Sequence, residues 1–168
     1  MKQLWAPWRM SYINGDDKDA TAGCIFCVRD TLDEDHDRLI LHRGEHAFII
    51  MNKYPYSNGH LLVAPYRHTA DLSELSDAEA LEMHRLTVLA RDALRSWGNP
   101  DGFNIGMNWG RVAGAGIEDH LHLHIVPRWN GDTNFMPVFS DVRVIPQHLL
   151  ETYTLLAKAM ASLLRTTE

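Results

Sequence analysis

The sequence predicts an α+β domain in which a mainly antiparallel five-stranded sheet is backed by helices on one side. Five short apolar runs bounded by Gly, Asn and Pro, two stretches with helical spacing, and the order in which they alternate carry this expectation. At 168 residues the chain fits one domain, large enough to bury about two thirds of its unfolded surface without staples.

Residues 1–22 read as an N-terminal arm and 23–168 as a single domain. Trp5, Trp8, Met10, Tyr12 and Ile13 of the arm are expected to pack as apolar anchors against the domain or a second subunit. The polar stretch Asn14 to Gly23 joins arm to core. "RLILH" and "HAFIIMN" flank Arg43-Gly44-Glu45 and predict a hairpin, and "HLLVAPYR" predicts a third strand. Ser76 with Glu79 three residues later is a capping-box signature. Leu86, Leu89, Ala90, Ala93 and Trp97 continue at helical spacing until Gly98-Asn99-Pro100 ends the pattern. "FNIGMNWG" and "HLHLHIVPRW" are expected to form strands four and five, joined by the Gly-rich "RVAGAGIED". Pro146 then opens a second amphipathic helix with Leu149, Leu150, Tyr153, Leu156, Met160 and Leu163 on one face.

A net charge of −6 argues against a nucleic-acid scaffold that works by neutralising many phosphates, while leaving room for small anionic ligands. No apolar run approaches the roughly 20 residues of a membrane helix, and "MKQLWAPWRM" lacks the apolar core of a signal peptide. The expectation is a cytoplasmic protein without membrane contact. Two cysteines, Cys24 and Cys27, are too few for a disulfide scaffold and suit a reducing compartment.

The chemistry concentrates in His120, His122 and His124. On an extended strand alternate residues share a face, which groups the three imidazoles opposite Leu121, Leu123 and Ile125. The outer two would lie roughly 13 Å apart at about 3.3 Å per residue, too far to serve one metal or one atom. A division of labour is expected. An imidazole with pKa near 6.5 is mostly neutral at pH 7 and can act as nucleophile or base. Gly110, Gly114 and Gly116 lie just upstream, where clustered backbone amides can cradle phosphate oxygens or simply form a flexible turn. "CIFC" supplies half of a tetrahedral zinc site; a redox dithiol and a pair of buried small residues are the competing readings.

The run His120-Leu-His-Leu-His-Ile-Val resembles the histidine-triad (HIT) motif of nucleotide hydrolases and transferases. The resemblance extends through "NKYPYSNGHLLVAPYRH" and "FNIGMNWG", while "WAPWRMSY" and "GDTNFMPV" resemble the dinucleoside-polyphosphate phosphorylase branch. It implies a HIT-like fold and a nucleotidyl-histidine intermediate on His122; beside such a nucleophile, His124 is expected to hydrogen-bond the phosphoryl oxygens as charge builds. The resemblance further implies nucleotide contacts from Asn52, where the family usually has an acidic residue, and from Asn108; Gly114 and Gly116 are the candidates for the anion cradle by their position in the loop. Phe48 and Ile50 are candidates for an apolar base pocket, although alternate apolar residues on a strand more often face the core. In some triad proteins the Cys pair is completed by two histidines, which here would be His68 and His120, holding a structural zinc. Relatives commonly pair into homodimers.

The hydrolase branches usually carry Gln-Ser where this chain has Gly116-Ile117. That departure favours transfer to inorganic phosphate over hydrolysis. The expected activity is cleavage of dinucleoside polyphosphates at the α-phosphate. A nucleoside phosphoramidate hydrolase and a non-catalytic nucleotide-binding protein are the alternatives.

Overall fold

A computed structural model describes residues 23–132 and 147–166. The arm, its aromatic anchors, Pro146 and most of "GDTNFMPV" lie outside the described residues. Five strands, β1 (Ile40–Arg43), β2 (Ala47–Met51), β3 (Leu61–Pro65), β4 (Gly102–Met107) and β5 (Leu123–Arg128), form one sheet in the order β1-β2-β3-β5-β4. Every neighbouring pair is antiparallel. Helices α1 (Asp77–Gly98) and α2 (Leu149–Thr166) complete the α+β fold.

β2 and β3 are buried on both faces, which explains their continuous apolar runs. Ala47, Ile49, Met51, Leu61 and Val63 face the helices and pack with Met83, Leu86, Ala90, Leu94, Leu156 and Met160. Phe48, Ile50, Leu62 and Ala64 face the other way, where Phe26 and Val28 cover them. The segment carrying the cysteines is therefore the lid of a second core.

α1 starts at the predicted capping box: Ser76 Oγ accepts from Glu79 N–H at 3.3 Å, and Ser76 N–H donates to Glu79 Oε2 at 2.8 Å. Arg67 Nε adds a bond to Glu79 Oε1 at 2.9 Å. Burial raises the Glu79 pKa, but the hydrogen bonds from Ser76 and Arg67 outweigh it and hold the carboxyl at about 2. Asn99 ends the helix in a left-handed conformation. One turn further along α1, Glu82 accepts backbone N–H bonds from Glu45, His46 and Ala47, clamping the β1–β2 turn to the helix.

Two details position the site. Gly59 has φ +73°, and a Cβ there would lie 2.7 Å from the Trp97 ring, so only glycine turns the chain tightly enough to deliver His60 into β3. The second corrects the sequence reading: β5 begins at Leu123, so His120 and His122 precede the strand instead of sharing its face with His124. Val63 pairs with Leu123, and the same register would set Pro65 opposite Leu121. Proline has no N–H to extend the ladder. Leu121 N–H donates instead to Thr69 O at 2.7 Å, and the chain leaves the sheet there.

Candidate functional site

The three triad rings gather even though only His124 lies in the strand. His124 pairs with Leu62 on β3 and Gly106 on β4, on the face away from the helices. Its ring centroid is 4.9 Å from that of His122, and Phe26 packs against both His122 at 4.8 Å and His120 at 5.3 Å.

The hydrogen-bond partner of one nitrogen decides which nitrogen of each ring is reactive. His122 Nδ1–H donates to the His120 carbonyl at 2.8 Å, which leaves Nε2 with the lone pair. Burial pushes the His122 pKa below its ordinary value, opposed by that hydrogen bond, so the ring is neutral at pH 7. A neutral, oriented imidazole is what a nucleophile at phosphorus requires.

His60, which sequence reasoning did not single out, completes the arrangement. It is fully buried, and its Nδ1 accepts from Tyr56 N–H at 3.1 Å and from Asn52 Nδ2 at 3.2 Å. Its proton therefore sits on Nε2, which donates to His124 Nδ1 at 3.0 Å. His124 in turn must carry its own proton on Nε2 and be a donor there. Burial lowers the His60 pKa to about 3, with His124 and His122 adding to the effect. The one signal in the sequence was a histidine opening an otherwise apolar strand after Gly59.

Cys24, Cys27, His68 and His120 converge, their ligand atoms all within 4.8 Å of one another. Cys24 Sγ lies 3.3 Å from His120 Nδ1, Cys27 Sγ 3.4 Å from His68 Nδ1, and the two Nδ1 atoms are 3.3 Å apart. A tetrahedral zinc with bonds of about 2.0–2.3 Å gives edges of about 3.3–3.8 Å; these three separations lie in that range, Cys27 Sγ to His120 Nδ1 is longer at 4.0 Å, and the donor types suit that ion. His120 Nε2–H donates to Pro65 O at 2.8 Å, which frees Nδ1 to face a metal. A bound cation would tie the cysteine lid to the residues beside His122.

Beyond β4, the chain forms a loop in which Gly110 (φ +83°) and Gly114 (φ +90°) bracket a single 3-10 turn. Asn108 Nδ2 reaches the Gly114 carbonyl at 3.4 Å and holds the loop ends together. A cleft of about 240 Å³ opens there, lined by Asn108, Trp109, Ile117, Glu118, His120 and His122 among others. Gly116 lies between Gly114 and the cleft-lining Ile117, and both are partly buried. Asn52 sits at the end of β2 with its Oδ1 accepting from Tyr54 N–H at 2.9 Å. Phe48 and Ile50 are buried in the second core, Phe48 stacked on Tyr66 at 5.3 Å.

The pattern of the HIT domain matches residues 34–131. The chain is 37% identical over 167 residues to the AP-4-A phosphorylase of Mycobacterium tuberculosis (strain ATCC 25618 / H37Rv), covering 96% of this chain and 85% of that protein. Among solved structures, it is similar to a Zn-bound histidine triad family protein from Mycobacterium smegmatis. That likeness has a TM-score of 0.67 and 29% identity, over 87% of this chain and 98% of that one. A hypothetical histidine triad nucleotide-binding protein from Sulfolobus tokodaii gives 0.63 and 28%, over 85% and 93%.

Proposed function

The chain belongs to the HIT family, and from that premise we propose that it cleaves dinucleoside polyphosphates at the α-phosphate, with inorganic phosphate favoured over water as acceptor. His122 Nε2 attacks the α-phosphorus; a P–N bond forms, the bridging P–O bond breaks, and the leaving nucleotide departs with the electron pair. A phosphate oxygen then attacks the same phosphorus and the P–N electrons return to His122. With diadenosine tetraphosphate the products are ATP and ADP.

The observation that carries this reading is the tautomer set: an Nε2 lone pair on His122 beside an Nε2–H donor on His124. The first forms the bond, and the second stabilises charge building on the phosphoryl oxygens. Asn108 borders the same cleft and, with Gly114 and Gly116 of the loop that follows β4, is assigned to the phosphates; Phe48 and Ile50 on β2, and Asn52 just past its end, are assigned to the retained nucleoside. Gly116 and Ile117 offer no side-chain donor to orient a water, which supports phosphate as acceptor.

Cys24, Cys27, His68 and His120 are assigned to a structural zinc. Those four residues would fill a tetrahedral shell, so the ion would hold the lid and leave the phosphorus chemistry to His122. The protein is further proposed to work as a cytoplasmic homodimer. Among the described residues no helix is long and apolar enough to cross a membrane.

The test is to incubate pure protein with diadenosine tetraphosphate, with and without phosphate, and to identify the nucleotides released. ADP and ATP formed only with phosphate support phosphorolysis. AMP and ATP in both reactions would move the reading to hydrolysis, and no turnover would remove it.

A further inference from the structure

We infer that Trp109 is a stacking platform for the base of the leaving nucleotide, so that the protein selects substrates carrying a second nucleobase beyond the bond that breaks. This rests on the reaction proposed above.

The indole borders the cleft that His122 and Asn108 also line, together with Ala70, Leu72 and Ile117. Trp109 is 57% exposed, whereas the fold has used the other described tryptophans for packing: Trp97 and Trp129 meet edge to face at 6.2 Å, and Trp129 Nε1 donates to Gly98 O at 2.8 Å. A large aromatic face held open beside a reactive histidine is an available surface for a planar ligand, because every base presents a π-face whatever its edge chemistry.

Sheet order gives the direction. β2 carries Ile50 and leads to Asn52, on one side of β5, while β4 leads to Trp109 on the other. A substrate whose retained nucleoside lies toward β2 and whose α-phosphate lies at His122 runs its polyphosphate toward β4. The anion-cradling loop starts directly after Trp109, so a second base reaches the indole as the phosphate chain passes Asn108 and Gly110.

Diadenosine tetraphosphate and adenosine 5′-tetraphosphate share the adenosine and the phosphate chain, and differ by the second nucleoside. Trp109→Ala should lower the ratio of kcat/KM for the first over the second by about tenfold, the usual worth of one base–aromatic stack, through KM. Trp109→Phe should recover most of that ratio. Calorimetry of both ligands with His122→Asn protein, with and without Trp109→Ala, reads the same preference without turnover. Equal losses for both ligands would place Trp109 on the shared half or in the fold, and an unchanged ratio would deny the stack; either overturns the proposal. Preferential binding of the dinucleotide that depends on Trp109, with no turnover by wild type, would uphold the subsite while ending the proposed reaction.

Discussion

Imidazoles at this site take their protonation state from the groups behind them. His122 is fixed by a carbonyl and His124 by His60, itself fixed by two donors. His122→Asn should abolish nearly all turnover and leave nucleotide affinity within about tenfold, since only the covalent step depends on the ring; product assays and calorimetry check both halves. His60→Phe keeps a ring of similar size but ends the relay, so kcat should fall on the order of tenfold to a hundredfold with a smaller change in KM. An unchanged kcat would mean His124 needs no relay. The same histidine bears on stability against pH. Its folded pKa of about 3 lies below the ordinary 6.5, so between those values the unfolded chain binds a proton that the folded chain does not. Its stabilising share is complete above pH 6.5 and is lost progressively as pH falls toward 3. Melting should therefore occur at lower temperature at pH 5 than at pH 7, and His60→Phe should shrink that difference. The same drop in both proteins would assign it elsewhere.

Elements made of residues with strong local preferences were legible in the sequence. The capping box fixed the start of α1, the Gly98-Asn99-Pro100 sequence its end, and the apolar runs gave β2 and β3. The start of β5 was not legible from its own pattern, because it is set by Pro65 on the partner strand. His60 was hidden for a related reason: its role comes from Tyr56, Asn52 and His124, which only the fold assembles. The four metal-ligand candidates were named through resemblance, and the geometry brings them together. The lid they hold is expected to depend on the ion. Cys24→Ser should lower zinc content and melting temperature together, since metal binding is coupled to ordering of its ligands. Activity should fall only as far as His122 loses its place. A zinc content well below one per chain in dialysed wild-type protein, with full stability, would leave the cysteines as plain thiols.

At the scale of the whole molecule, the β4 side stands out. Among the described residues, β4 ends the sheet with a strand partner on one side only, and Asn104, Ile105 and Gly106 are exposed. Beside it an apolar groove of about 430 Å³ runs between α1 and the sheet, lined by Leu72, Met83, Val88, Ile105, Met107 and Leu123. An open edge invites pairing with another strand, and a contiguous apolar groove next to it favours the same encounter by removing hydrocarbon from water. A second copy satisfies both at once if the two β4 strands run antiparallel about a twofold axis, giving a continuous ten-stranded sheet with the grooves covered. The β1 edge lacks this opportunity because α2 packs against it, with Tyr153 donating to Ile40 O at 3.0 Å. Light scattering at micromolar concentration should therefore return the mass of two chains. Ile105→Lys puts a charge into the groove mouth, where it must be desolvated on pairing, and should shift the mass toward one chain while leaving the melting of the monomer fold cooperative. A wild-type mass of one chain would show that the edge is left open in solution, and a dimer untouched by Ile105→Lys would place the interface on another face.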